Sequence, residues 1–173
     1  EKQTLVVFLS DNGAPLKPNL QDLSRGSNRP LHGRGYTTSE GAFRSPTIFW
    51  WPERITANTT CTELATTMDL LPTFALLAGG HAPKDRIIDG HDIRPLLFGK
   101  AGSKSPYPVF YYYHSDQLQA IRSGPFKLFV PLSSPLRHPH FPAAGSKSPL
   151  LFDVVSDIGS TKDLANRHPE VVE

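Results

Sequence analysis

The chain opens on a short apolar and β-branched run, Thr4–Leu9, with no polar position in its centre. Such a run is typical of a strand that is covered on both faces in a parallel sheet. Thr47–Trp51 predicts a second short buried strand, which Pro52 ends. The segment between them, to about Gly41, is rich in Pro, Gly, Asn and Ser and has no periodicity. A loop of that length within a compact domain is usually functional or disordered.

A helical pattern follows the second strand. Thr60 and Glu63 have the spacing of a capping box, and an apolar series with helical spacing comes after them. Pro72 interrupts this series, so we expect a kink or a restart with Asp69 as the N-cap. The order strand, long loop, strand, helix predicts α/β layers with parallel strands. The apolar series consists of Leu64, Met68, Leu71, Ala75 and Ala78, and Gly79 and Gly80 follow it.

The composition changes around Gly99–Pro106, a Gly-, Ser- and Lys-rich stretch that separates the α/β pattern from a series of short strands. We therefore predict two domains, residues 1–104 and 105–173. The short strands predict a small antiparallel meander with a tight turn at Ser123–Pro125, followed by a last strand and a helical tail near His168. The predicted strands are Val109–Tyr113, Leu118–Arg122, Phe126–Val130 and Leu150–Asp153.

Charge and composition exclude several classes of function. Lys and Arg number 18 against 16 Asp and Glu, and without a clustered basic run the chain does not indicate a nucleic-acid partner. No stretch approaches the ~20 apolar residues of a membrane span. The single cysteine, Cys61, excludes an internal disulfide and a Cys-rich metal site. Asn58 begins an Asn-Thr-Thr sequon, a triplet that often arises by chance.

Asp11 and Asn12, directly after the first predicted strand, carry hard oxygen ligands suited to Ca²⁺ or Mg²⁺. The carboxyl ends of buried parallel strands are also where open α/β sheets bind ligands. The alternative is a type I′ hairpin turn, which Asn-Gly favours. That turn needs a strand directly after Gly13, and Pro15 and Pro18 disfavour one. Two ligands do not fill a calcium shell of about six to eight oxygens, so we expect the remaining ligands upstream of this chain.

A second candidate region is the Gly-rich segment 30–46. Its glycines permit close approach of the backbone to a ligand, and Arg34 or His32 could donate to an oxyanion. Arg44 could instead pair with Glu40 and hold the loop in shape. From the residues alone, a solvated Gly-rich loop remains the simpler interpretation.

The order of these motifs resembles the sulfatase family (arylsulfatase-like) of the alkaline-phosphatase superfamily. Ser-Asp-Asn-Gly after an apolar strand is followed by Pro-Leu-x-Gly and then by Thr-Thr-x-Glu-Gly-x-x-Arg-x-Pro. The similarity extends over nearly the whole chain, because further matches follow in the same order. These matches are Met68–Thr73, Ile88–Gly90, Gln119–Gly124 leading into Lys127 and Leu128, Leu151–Asp153, Asp163–Ala165 and His168–Glu170.

The resemblance implies the C-terminal part of an α/β/α sulfatase domain followed by a small α+β subdomain with an antiparallel sheet. It implies a parent protein that hydrolyses sulfate esters of sugars or aryl alcohols with formylglycine and Ca²⁺, in a secreted, periplasmic or lysosomal compartment. Asp11 and Asn12 resemble the second half of the calcium ligands. The sulfate-binding Lys of the family corresponds to Gly35, so that its neighbour Arg34 is a candidate replacement, with His32 and His114 as further candidates for substrate binding.

The family nucleophile lies in a Cys/Ser-x-Pro-x-Arg motif, which we expect to be absent from this chain and to lie upstream of it. No residue here is therefore predicted to be catalytic, and the chain alone is expected to be inactive. Cys61 does not match the motif. Two alternatives remain open for the parent: a phosphatase or phosphonate monoester hydrolase of the same superfamily, or a non-catalytic binding module.

Several other polar residues have a structural interpretation. His114, Ser115 and Asp116 are neighbours in sequence rather than the spatial partners of a triad, and we place them in a hairpin turn at the rim of the cleft. For His138 and His140, a solvated Pro-rich loop is favoured over a metal site. The remaining candidates are Tyr111–Tyr113 as a strand with one packed face, Asp69 as a cap and Asp89 as a turn residue.

Overall fold

A computed structural model describes residues 2–15 and 26–173. The chain divides into two compact units. Unit 1 comprises Glu1–Leu9 and Thr47–Pro108, and unit 2 comprises Ser10–Pro46 and Val109–Glu173. The segment that follows the first strand therefore groups with the C-terminal part of the chain, and the boundary after residue 104 stays a prediction. In the part of the chain that is described, no helix has the length and apolar character to cross a bilayer.

Unit 1 contains a two-stranded sheet, β1 (Val6–Leu9) and β2 (Thr47–Trp50). The two strands pair antiparallel, so the prediction of parallel pairing is wrong: an apolar run marks a strand without encoding the direction of its partner. Val6 lies opposite Trp50 and Phe8 opposite Ile48. Residues that lie opposite share a face, and all four of these side chains are exposed, Phe8 by 64%. Among the described residues, the predicted coverage of this sheet on both faces is therefore not found.

In unit 1, only the second half of the predicted helical segment forms a helix. A 3₁₀ turn, Thr67–Asp69, leads into α2 (Leu70–Leu77), so the predicted restart after Asp69 is confirmed. The predicted Thr60–Glu63 capping box is wrong. The capping box is formed by Thr66 and Asp69, whereas Glu63 accepts the Ser105 N–H at 2.8 Å. A short helix, α3 (Arg94–Leu97), follows.

Unit 2 contains a four-stranded antiparallel sheet, which confirms the predicted meander. In the order in which they pair, its strands are β3 (Phe110–His114), β4 (Gln117–Ser123), β5 (Phe126–Phe129) and β6 (Leu150–Asp153). Gly124, at φ +54°, forms the turn between the middle two strands. Along β3 only Tyr112 is buried, and its neighbours Tyr111 and Tyr113 are exposed, as predicted for a strand with one packed face. The unit also contains the short helices α1 (Glu40–Phe43) and α4 (Pro169–Val172).

The core of unit 2 is largely aromatic, and the segment 131–149 packs into it. The His138 ring stacks on Phe141 with centroids 4.2 Å apart, and His140 stacks on Phe152 at 4.6 Å. The prediction of a solvated loop for these histidines is wrong, because both rings are half-buried. Burial lowers the pKa of His138 to about 4 and that of His140 to about 3. The core residues are Tyr112, Ala120, Phe129, Phe141, Phe152 and Val154.

Candidate anion-binding site

The turn after β1, Asp11–Gly13, packs directly against the Gly-rich segment 30–46. The Gly13 N–H donates to Ala42 O at 2.9 Å, and the Gly35 N–H donates to Ala14 O at 3.0 Å. A Cβ on Gly13 would lie 1.6 Å from Gly41 O, so only glycine fits there. The alternative of a type I′ hairpin is wrong, since the chain after Gly13 pairs with this segment and the partner of β1 is β2.

Asp11 and Asn12 present oxygen atoms at an exposed turn. Asp11 Oδ1 accepts the Asn12 N–H at 2.9 Å, and Asn12 Nδ2 donates to Gly13 O at 3.0 Å. Within residues 2–15 and 26–173 these bonds leave the second carboxylate oxygen and the amide oxygen available. Both are hard ligands of the kind that Ca²⁺ prefers, although they supply only part of its shell. Among the described residues, no group of three or more His, Cys, Asp or Glu side chains could hold a metal ion.

A network of hydroxyl groups shapes the loop that carries Arg34. Thr37 Oγ1 donates to Arg34 O at 2.7 Å, and it also lies 2.7 Å from Ser39 Oγ. Gly33, at φ +81°, passes so close to Ser39 that a Cβ would lie 2.2 Å from its hydroxyl oxygen. Thr37 and Ser39 are buried, whereas the Arg34 side chain is exposed. The exposed Arg34 side chain therefore extends from a loop whose backbone is held in place by the hydroxyl groups of Thr37 and Ser39.

The Arg34 side chain lines a cleft of about 260 Å³ in unit 2. Arg137 lines the same cleft, although about 100 residues separate the two arginines in the sequence. None of the described residues that line it is acidic, and no ion pair joins either guanidinium to another residue in the described part of the chain. Two cations without counter-charges suit an anionic ligand. The described lining residues are Pro15, Arg34, Gly35, Tyr36, Thr37 and Arg137.

A buried ion pair holds the base of this loop on the sheet. Lys127 Nζ lies 2.9 Å from Glu40 Oε1 and donates to Thr38 O at 2.7 Å, and both charged side chains are fully buried. The ammonium also lies 3.6 Å from the centroid of the Tyr112 ring. Burial lowers the pKa of Lys127 to about 8, although the negative charge of Glu40 acts in the opposite direction and raises it.

Two arginines complete the surroundings of Glu40. The predicted contact with Arg44 is present, at 3.7 Å from Oε2, and Arg122 lies 3.8 Å from the same oxygen. The Arg44 guanidinium donates in addition to Val154 O at 3.0 Å. Arg44, which directly follows α1, and one cation from each of two strands therefore surround the Glu40 carboxylate, and the loop is fixed at its base.

Sequence reasoning assigned no role in the site to Lys127 or Arg137. Lys127 alternates with buried Phe129 along β5, and a lysine at an inward position of a strand is a signal for a buried partner. Arg137 carried no comparable signal, because only the folded segment 131–149 brings it to the cleft.

The other candidates for substrate binding lie elsewhere in unit 2. The His32 ring stacks on His140 with centroids 4.4 Å apart, and neither His32 nor His114 lines the cleft. His114 ends β3 opposite Gln117, which confirms the predicted hairpin turn. The roles predicted for both histidines in substrate binding stay predictions.

The expectation that this chain lacks a Cys/Ser-x-Pro-x-Arg sequence is wrong. Residues 133–137 read Ser-Ser-Pro-Leu-Arg and match its letters. Ser133 is exposed and lines a separate concavity of about 530 Å³ that includes Leu132 and Lys147, and it does not line the cleft of Arg34. The match therefore brings no nucleophile to the candidate site. Cys61 is exposed in unit 1.

Comparisons with known proteins connect this geometry to one family. The family model described as Sulfatase matches residues 1–80. N-acetylgalactosamine-6-sulfatase of Canis lupus familiaris is 43% identical over 128 residues, which cover 73% of this chain and 23% of that protein. Arylsulfatase A of Bos taurus is 36% identical over 183 residues, which cover 98% of this chain and 35% of that protein.

A solved structure gives the same result at the level of the fold. It comes from work on the metabolism of multiple glycosaminoglycans by Bacteroides thetaiotaomicron, and it aligns with a TM-score of 0.73 at 25% identity. The alignment covers 99% of this chain and 37% of that one. The chain thus spans between about a quarter and about a third of the length of the curated relatives described above. It belongs to the sulfatase family, with an α/β fold of the alkaline-phosphatase type.

Proposed function

We propose that the protein containing this chain is a sulfuric ester hydrolase, and that the cleft of unit 2 receives the sulfate group of its substrate. The observation that carries the proposal is the position of Arg34. Its guanidinium lines the cleft and forms no ion pair with any described residue, and the backbone beside it is joined to the Asp11–Gly13 turn through the bond from Gly35 to Ala14. A cation and two hard oxygen ligands are thereby placed on adjoining segments.

Arg34 would bind the sulfate oxygens directly. A guanidinium presents five N–H donors in a planar fork, which pairs well with a tetrahedral oxyanion. Asp11 and Asn12 would hold Ca²⁺, and their oxygen atoms fit that ion in chemical type. Bound there, calcium would supply Lewis-acid stabilisation of charge on the sulfate oxygens. The Lys127–Glu40 pair keeps the loop rigid, so that Arg34 retains its orientation when substrate binds.

We further propose that the reaction uses a formylglycine supplied by residues outside this chain, and that the chain alone does not turn over substrate. The position of Ser133 outside the cleft supports this view. A sulfated carbohydrate is the favoured substrate class, because N-acetylgalactosamine-6-sulfatase is among the relatives and one similar structure comes from work on glycosaminoglycan metabolism. A compartment outside the cytosol, as the resemblance implies, belongs to the same proposal.

The test is a comparison of variants in the intact protein. Arg34→Gln is expected to lower kcat/KM for a sulfated N-acetylhexosamine by about 100-fold or more, as for loss of one preorganised donor to a developing anion. Arg167→Gln is the matched control, since Arg167 is exposed in the same unit and does not line the cleft. Asp11→Ala is expected to abolish calcium binding in titration calorimetry. Normal turnover by Arg34→Gln would refute the proposed role of the cleft.

A further inference from the structure

Arg137 gives the cleft a second cation from a different wall. Arg34 and Tyr36 belong to the Gly-rich loop, whereas Arg137 belongs to the segment after β5. Neither guanidinium is paired with a carboxylate among the described residues. Two like charges in one cleft repel each other, and the repulsion is relieved most completely by a ligand with two negative charges.

The position of Arg137 is fixed by the residue before it. The Leu136 N–H donates to Gln117 Oε1 at 2.8 Å, and Leu136 O accepts from Gln119 Nε2 at 2.7 Å. Gln119 is fully buried, and its Oε1 also accepts from Thr38 Oγ1 at 2.8 Å. One buried amide therefore connects the loop that carries Arg34 to the segment that carries Arg137. Because Gln119 belongs to β4, the sheet fixes the two walls of the cleft relative to each other.

The backbone of the cleft is unusual at two positions. Arg137 has φ +46° and Tyr36 has φ +65°, in the left-handed region that residues other than glycine rarely adopt. Both residues line the cleft. Such conformations persist where the surroundings enforce them, and they concentrate at ligand-binding sites. The hydrogen bonds on both sides of Leu136 provide that enforcement for Arg137.

We propose that Arg137 binds a second anionic group of the substrate, while Arg34 binds the sulfate group that reacts. The substrate class is then a sulfated carbohydrate that carries a further sulfate or carboxylate close to the reacting ester. This inference rests on the proposed function in its assignment of the reacting sulfate to Arg34. The cleft volume of about 260 Å³ is slightly below the ~300–1,000 Å³ of small-molecule sites, so the cleft is of a size for one anionic sugar unit rather than for a longer chain.

The test measures binding in the intact protein with its proposed nucleophile, outside this chain, replaced by Ala, so that the sulfated probes are not consumed during the titration. Three probes are titrated: an N-acetylhexosamine monosulfate, a disulfated disaccharide, and a monosulfated disaccharide with one uronic acid carboxylate. Arg137→Asn keeps a residue type that tolerates the left-handed backbone, Arg137→Lys keeps the charge, and Arg167→Gln is the control. Arg137→Asn is expected to weaken binding of one or both dianionic probes about 10-fold, as for a lost charged hydrogen-bond partner, and the monosulfate less than about twofold.

The pattern of results separates the possibilities. A loss confined to the disulfated probe identifies a sulfate as the second group, and a loss confined to the uronic acid probe identifies a carboxylate. Arg137→Lys is expected to restore part of the lost affinity. Equal weakening of all three probes, or no weakening at all, would overturn the proposal. Absence of sulfate ester hydrolysis by the wild-type protein would refute the proposed function alone, because the difference between the probes would still be measured.

Discussion

Lys127 Nζ lies 2.9 Å from Glu40 Oε1 beneath the loop that forms one wall of the cleft, and both side chains are fully buried. The ammonium also donates to Thr38 O, so the pair fixes the backbone as well as the carboxylate. Burying two charges costs free energy, and the attraction between them offsets that cost only when the geometry is good. The pair is therefore better understood as a means of fixing the loop than as a source of net stability.

Removal of one partner is expected to be costly. Lys127→Met leaves a buried carboxylate whose nearest remaining cations, Arg44 and Arg122, lie 3.7 and 3.8 Å away. We expect the free energy of unfolding to fall by about 3 kcal/mol, as for other broken buried pairs. Urea denaturation of the intact protein measures the loss. The double variant Lys127→Met with Glu40→Gln is expected to recover part of it, and a loss below about 1 kcal/mol in the single variant would contradict the assigned role.

The histidines of the aromatic cluster predict a loss of stability in acid. Burial lowers the pKa of His138 to about 4 and that of His140 to about 3, below the value of 6.5 for a free histidine. The unfolded chain therefore binds more protons than the folded chain in this range. The free energy of unfolding is expected to fall as the pH drops from about 6.5 toward 4.

A matched pair of variants isolates this effect. His140→Phe keeps an aromatic ring against Phe152 and removes one titrating group, so its urea midpoint should fall less between pH 6.5 and 4 than that of the wild type. His81→Phe is the control, because His81 is exposed in unit 1. Identical pH profiles for His140→Phe and the wild type would show that His140 is protonated without cost in the folded chain.

The buried amide of Gln119 predicts a difference between two glutamines on the same strand. Gln119→Leu leaves Thr38 Oγ1 and Leu136 O without their partner, and we expect a loss of about 1–3 kcal/mol in the free energy of unfolding. Gln117→Leu removes hydrogen bonds that are open to solvent, so water can replace them and the loss should stay below about 1 kcal/mol. Equal losses for the two variants would contradict the bridging role of Gln119.

The close contact between Gly13 and the backbone of Gly41 predicts an indirect effect on metal binding by the Asp11–Asn12 turn. In Gly13→Ala, the new Cβ would lie 1.6 Å from Gly41 O, so the backbone next to both proposed ligands must move. We expect calcium affinity to fall about 10-fold in titration calorimetry, a loss typical of disturbed support around a metal site, although no ligand is removed. Gly80→Ala is the control, since its Cβ would lie 3.4 Å from Ala75 O. Unchanged affinity in Gly13→Ala would show that the turn does not hold the metal.

The strands of unit 2 could be predicted from the sequence because each is a short apolar run bounded by turn residues. Gly124 at φ +54° is a local signal of this kind. The direction of pairing between β1 and β2 could not be predicted, since an apolar run does not specify its partner. The helix boundary was misplaced for a related reason. Thr60 and Glu63 have the correct spacing for a capping box, but the Glu63 carboxylate accepts a hydrogen bond from the Ser105 N–H, about 40 residues further along the chain.

The candidate site was predictable only in part. Asp11, Asn12 and Arg34 belong to local motifs, and the structure joins their segments through Gly13 and Gly35. Arg137 and the partners that hold it come from distant segments. His138 and His140 were expected in solvent because Pro and Ser surround them, yet their rings complete an aromatic core. Contacts of this kind depend on tertiary packing, which local composition does not encode.

The most direct test of the central claim is the ratio of kcat/KM for a sulfate monoester to that for the phosphate monoester of the same alcohol, measured on the intact protein with calcium present. The account predicts a ratio well above 1, a fall of about 100-fold in kcat/KM for the sulfate ester in Arg34→Gln, and loss of activity on chelation of calcium. A preference for the phosphate ester, or sulfate ester hydrolysis that is indifferent to Arg34, would contradict the assignment of this cleft to the sulfate group.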